Sequence, residues 1–212
     1  MHHKHTMRWL ETVAVYGLAP LIILYFHQRS LMIAFLWGGA ALIYYLLKTS
    51  PNFSYAAEWN WAGAKRGFPT VFTRFLLITP LIIGFTLLHD PGKFLSFPIQ
   101  RPILWAMVMI LYPILSVWPQ EMIFRSFLHH RCIQLNCLRY FPLLSAITFG
   151  YAHILFLNWV AIFFTFCGGY FFALHYLRHR SLALACIEHA LYGCLLFTVG
   201  LGWYFYGAAW GK

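Results

Sequence analysis

Long apolar runs recur along the whole of this chain, and several approach the ~20 residues that an α-helix needs to cross a bilayer. No soluble core has use for so many. The runs extend from Val13 (or as early as Trp9) to Phe26, Leu31 to Leu47, Val71 to Leu88, Ile103 to Cys137, Phe141 to Leu157, Trp159 to Leu177 and Leu182 to Gly200. They predict an all-α, polytopic transmembrane helix bundle of about seven to eight spans, forming one integral membrane domain over residues 1–212. The tail from Leu201 either extends the last helix or lies in the interface. With 61% hydrophobic and only 9% charged residues, the composition excludes an ordinary soluble domain.

Proline and charge organise the spans. Pro20 predicts a kink in the first helix, and Pro119 predicts that the 103–137 segment is a broken or unusually long helix that crosses once. Residues 48–68, with Pro51, Asn60, three cations and two tryptophans, read as an interfacial loop. After MHHKHTMRWLE there is no small-residue cleavage site, so the first run is expected to be a retained helix. A cytoplasmic N-terminus then collects Lys4, Arg8, Lys48, Lys65, Arg66, Arg131, Arg139, Arg178 and Arg180 on the inner side, with Arg74 near that end. It leaves Arg29, Lys93, Arg101 and Lys212 outside. The formal net charge of +10 therefore orients helices, and nucleic acid is not an expected partner. Cys132, Cys137, Cys167, Cys186 and Cys194 have no paired spacing and read as small buried thiols.

Against this background the ionisable residues inside apolar runs are informative, because a charge there should line a cavity or find a partner. The chain has five acids, and two of them, Glu121 and Glu188, fall within spans. The stretch WPQEMIFRSFLHHR puts Glu121 and Arg125 four residues apart, on one helix face where they can pair. His153 lies in the next run, one turn after Phe149, and His189 lies in the last run beside Glu188. Each has a bland reading: an ion pair that hides its charges, or a hydrogen-bonded packing histidine. Three helices that each bring an acid or imidazole favour a shared site instead. His129, His130, His175 and His179 sit near helix ends close to arginines, where a solvated or headgroup-facing role is expected. His2, His3 and His5 read as a flexible tail with adventitious metal affinity.

At these residues the sequence resembles the CPBP family of intramembrane proteases, which includes the CAAX prenyl endopeptidases and the bacterial Abi proteins. The family's E-E-x-x-x-R is met by Gln120-Glu121-Met122-Ile123-Phe124-Arg125, and its F-x-x-x-H by Phe149 and His153. Its final His, followed four residues later by Asn or a similar polar residue, is met by His189 with Gly193 at the fourth place. The resemblance covers residues 100–200 as a catalytic core. It implies a metal-independent glutamate mechanism, a membrane-associated protein or peptide as substrate, and a bacterial inner membrane as location. The substrate stays open among a prenylated C-terminus, a peptide toxin and a C-terminal sorting tail.

Cleaving a peptide bond within a membrane needs a base for the water, a donor for the oxyanion and a proton for the leaving amine. Glu121 is expected as general base, His153 as water-positioning group or oxyanion donor, and His189 as proton donor or second oxyanion contact. Gln120, Arg125, Phe149, Glu188 and Tyr192 are expected to support them. Two departures from the family pattern bear on this. An amide at Gln120 cannot act as a base, and Gly193 lacks a side chain to bind an oxyanion, a gap that Tyr192 or His153 would have to fill. Three explanations follow: Glu121 is itself the base, Glu188 supplies a second carboxylate, or the protein is a noncatalytic binding or immunity relative. No cofactor is expected, with zinc on Glu121, His153 and His189 as the alternative, although the H-E-x-x-H zinc pattern is absent. A proton-coupled transporter using Glu121, Glu188 and the histidines is the remaining reading.

Overall fold

The computed structural model describes residues 2–26, 29–50 and 53–206. The side chains of His2, His3, Lys4 and Arg29 and the end of the tail with Lys212 lie outside what is described, and His5 is exposed. The architecture is all-α. Helix α1 (His2–Val13) continues through a π-helical turn, Ala14–Leu18, into α2 (Ala19–Phe26). The π turn lies just ahead of Pro20, where the missing N–H and the pyrrolidine ring disrupt ordinary α pairing. Next come α3 (Arg29–Lys48), the short α4 (Tyr55–Trp59), α5 (Trp61–His89) and the short α6 (Ser96–Gln100).

The segment bearing the first motif is one helical run of 33 residues, Pro102–Gln134. It comprises α7 (Pro102–Tyr112), a π turn (Pro113–Val117), α8 (Trp118–Glu121), a second π turn (Met122–Phe127) and α9 (Leu128–Gln134). Again the first π turn sits directly before a proline, Pro119. The run therefore passes Pro119 without a break. After it come α10 (Phe141–Ala152), a 3-10 turn (His153–Phe156), α11 (Trp159–His179), α12 (Leu182–Val199) and α13 (Trp203–Tyr206).

Among the described residues, five helices are long and apolar enough to cross a membrane, and Met32–Lys48 is a shorter apolar one. With 12 residues, α10 is only ~18 Å long, short of the ~30 Å hydrocarbon core. It packs along α11, and α12 packs against α5.

The expected interfacial loop is shorter than residues 48–68, because Trp61–Phe68 is already the first part of α5. What remains folds over the ends of α9 and α11. Glu58 accepts hydrogen bonds from Ser126 Oγ (3.0 Å) and from the Tyr176 hydroxyl, and Arg180 lies 3.4 Å from it. Asn60 Nδ2 donates to the carbonyls of His179 (3.2 Å) and Arg180 (3.0 Å). The Ser181 hydroxyl donates to the Asn60 carbonyl (2.9 Å). Two histidine expectations change as a result. His129 is buried between the rings of Phe141 and Tyr176 and touches Arg180, and His175 is buried against Glu188. Proximity to a helix end does not mean exposure when another segment covers that end. His130 and His179 are half-buried.

At the other end Gly200, at φ 101°, stops α12, and the Gly202 N–H turns back to the Leu196 carbonyl (2.9 Å). The tail consequently folds back rather than extending the helix: Tyr204 donates to Asp90 (3.1 Å), and its carbonyl accepts from Asn158 (2.7 Å).

Candidate active site

Glu121 and Arg125 lie either side of the second π turn's start, and that wider turn brings position i+4 more nearly above position i. Arg125 Nε is 2.9 Å from Glu121 Oε2, with both side chains fully buried. The other carboxylate oxygen, Oε1, accepts from His189 Nδ1 at 2.7 Å. On its free side His189 Nε2 meets the Tyr112 hydroxyl at 2.9 Å. Two charged groups and an imidazole thus form one contact chain across the Pro102–Gln134 run and α12.

Phe149 explains the F-x-x-x-H spacing physically. The carbonyl of Phe149 accepts from His153 Nδ1 at 2.7 Å, which fixes the ring and leaves its Nε2 as a free acceptor. Its ring lies 4.6 Å from the His153 ring and 5.5 Å from that of His189, centroid to centroid, and the Arg125 guanidinium sits 4.7 Å above its centre. One aromatic side chain therefore spaces three polar ones. Phe172 stacks on His189 from the other face at 5.2 Å.

His153 and His189 line a cavity of about 430 Å³, together with Tyr112, Gln120, Tyr192 and Gly193. A second cavity, of about 650 Å³, opens between α1–α2 and α3 and has Val15, Ile23, Leu36 and Ile43 in its wall. Both cavities share Ser116, Gln120, His153, Phe156 and Phe205. The polar waist between two apolar spaces is formed chiefly by Gln120 and His153. Gln120 Nε2 donates to Ser116 Oγ (2.7 Å), and its carbonyl oxygen has no protein partner.

Glu121 lines neither cavity and stands behind His189. Glu188 is also buried, but it belongs elsewhere: its Oε2 accepts from His175 Nδ1 at 2.7 Å, and neither residue lines either of these cavities. Tyr192 contributes to the cavity wall, and its hydroxyl is buried without a partner. Among the described residues, no three His, Cys, Asp or Glu side chains are placed to hold a metal ion. Glu121 and His189 face each other, and His153 turns Nδ1 to the backbone.

Sequence reasoning missed Tyr112, which belongs to no motif, and Glu58, which looked like an ordinary loop acid. The five cysteines are free; Cys132 is buried as expected, whereas Cys137, Cys167, Cys186 and Cys194 are only half-buried. Residues 102–206 match a family model described as type II CAAX prenyl endopeptidase Rce1-like. No curated protein and no solved structure matches the chain. The matched stretch contains all three motifs, with Phe149, His153 and His189 on the wall of one cavity and Glu121 behind His189, and this half of the chain belongs to the CPBP family of CAAX-type membrane proteases.

Proposed function

We propose that the protein is an intramembrane endopeptidase that hydrolyses a peptide bond of a membrane-associated protein or peptide. The observation that carries this reading is the shared wall of the two cavities, where Gln120 and His153 present polar atoms between two apolar spaces. A water molecule has two hydrogens to give, and this wall offers two acceptors for them, the unpartnered Gln120 Oε1 and His153 Nε2. In this reading His153 takes the proton as the water attacks the carbonyl carbon, and returns it to the leaving amine. Glu121 acts through His189, holding its Nδ1 so that Nε2 faces the Tyr112 hydroxyl in the cavity wall, as a buried carboxylate orients a catalytic imidazole. Arg125 lies against the carboxylate and orients it.

The contacts between Asn60 and the end of α11, and between Glu58 and Arg180, hold Lys65, Arg66, Arg178 and Arg180 at one end of the bundle. This clustering supports a cytoplasmic N-terminus. The noncatalytic binding reading rests on Gln120, which stands where the family has its first glutamate. The transporter reading gains nothing, because Glu188 and His175 lie off both cavities.

Membranes from cells carrying wild type, His153→Ala and Glu121→Gln, expressed at equal levels, test the proposal through their peptide termini. Specific cleavage products should disappear in both variants and survive a metal chelator in the wild type. Identical peptide termini in all three would sink the endopeptidase reading and favour the binding one.

A further inference from the structure

Tyr112 ends α7 immediately before the first π turn, and its hydroxyl reaches the one nitrogen of His189 that Glu121 does not hold. Gly193 lies one turn after His189 on α12, on the same face. A Cβ built on Gly193 would fall 2.3 Å from Tyr112 Cε1, 2.4 Å from its hydroxyl oxygen and 2.6 Å from Cζ. No side chain at position 193 can coexist with this ring. The phenol therefore occupies the volume that a polar residue four places after His189 would fill, and it delivers a hydroxyl there from the opposite helix.

We propose that Tyr112 is the oxyanion donor of this protein and that Gly193 is the vacancy that admits it. The assignment rests on the endopeptidase reading above. A phenol hydroxyl can accept from one neighbour while donating to another. The hydroxyl rests against His189 Nε2, and its hydrogen turns to the substrate oxygen as negative charge develops there. When water attacks, the new C–O bond forms, the carbonyl π pair moves onto oxygen, and Tyr112 O–H hydrogen-bonds to that anion without giving up its proton. Collapse restores the carbonyl, breaks the C–N bond, and sends the proton held by His153 to the amine. Tyr192, the donor expected from the sequence, lies in the same wall, but its hydroxyl makes no contact with His189.

Product formation in membranes should be compared for wild type, Tyr112→Phe, Tyr112→Ala, the double variant Tyr112→Ala/Gly193→Asn, and His153→Ala. The probe is the set of cleavage products that the wild type makes from endogenous membrane proteins. Tyr112→Phe keeps the ring and should insert and melt like wild type while losing product formation by about 10²- to 10³-fold, the usual effect of removing one oxyanion donor. The double variant, with an amide in the space left by the ring, should exceed Tyr112→Ala by about 10-fold or more. Tyr112→Phe within about 3-fold of wild type overturns the assignment and leaves the endopeptidase reading intact. A double variant no better than Tyr112→Ala overturns the exchange with Gly193. A wild type that makes no more product than His153→Ala overturns both readings together.

Discussion

Two buried carboxylate–imidazole pairs lie near Arg125, and besides the ion pair that Glu121 makes with it they differ in access. In each, a histidine Nδ1 meets a glutamate oxygen at 2.7 Å, and both glutamates are fully buried. Arg125 is close enough to feel both charges. Yet His189 opens with its other nitrogen onto a cavity and a tyrosine hydroxyl, whereas His175 and Glu188 line neither of the two cavities. The same pair of groups becomes a reactive element or a structural one according to what its far side touches.

Substitutions can break that contrast. Glu121→Gln should lower product formation by about 10³- to 10⁴-fold, the scale seen when the orienting carboxylate of a catalytic histidine is lost. Glu188→Gln should stay within about 10-fold of wild type in the same membranes. If the two variants lose activity equally, the distinction drawn from cavity access fails. Arg125→Leu should cost about 3–5 kcal/mol of stability, because it strands two carboxylates together, and detergent unfolding midpoints would measure it. His175→Phe should cost less, about 1–3 kcal/mol, by leaving Glu188 without its hydrogen bond while products still form.

The smallest effect lies outside the spans. Lys93 Nζ, 2.7 Å from Asp90 Oδ2, holds that carboxyl below its ordinary value of 3.8. A lowered folded-state value means that this contribution is present above 3.8 and fades as the pH falls through the lower value. For a largely solvated pair it amounts to well under 1 kcal/mol. Asp90→Asn should therefore lower the melting temperature slightly at pH 7, with the difference from wild type vanishing in strong acid.

The motif residues were legible because membrane burial makes polar residues conspicuous: Glu121, Arg125, His153 and His189 stood out from apolar runs, and the structure brings them together. Tyr112 was not legible, since a tyrosine in an apolar helix is chemically unremarkable until the space above Gly193 is known. His129 and His175 were misread because flanking arginines signal a helix end but say nothing of the Glu58 segment that folds over it. Apolar periodicity also located α10 without revealing that it ends at Ala152, where His153 begins a 3-10 turn.

The two π turns of the Pro102–Gln134 run carry a consequence for register. A π turn accommodates one residue more than an α turn, so it acts as a single-residue insertion absorbed without breaking the helix. Wound as uniform α-helix with every residue kept, Met122–Phe127 would carry everything beyond it round by about 100° relative to Glu121. Ser126 would turn away from Glu58, although no functional side chain had been changed. The phase of this helix is therefore as much a part of the site as the letters written along it.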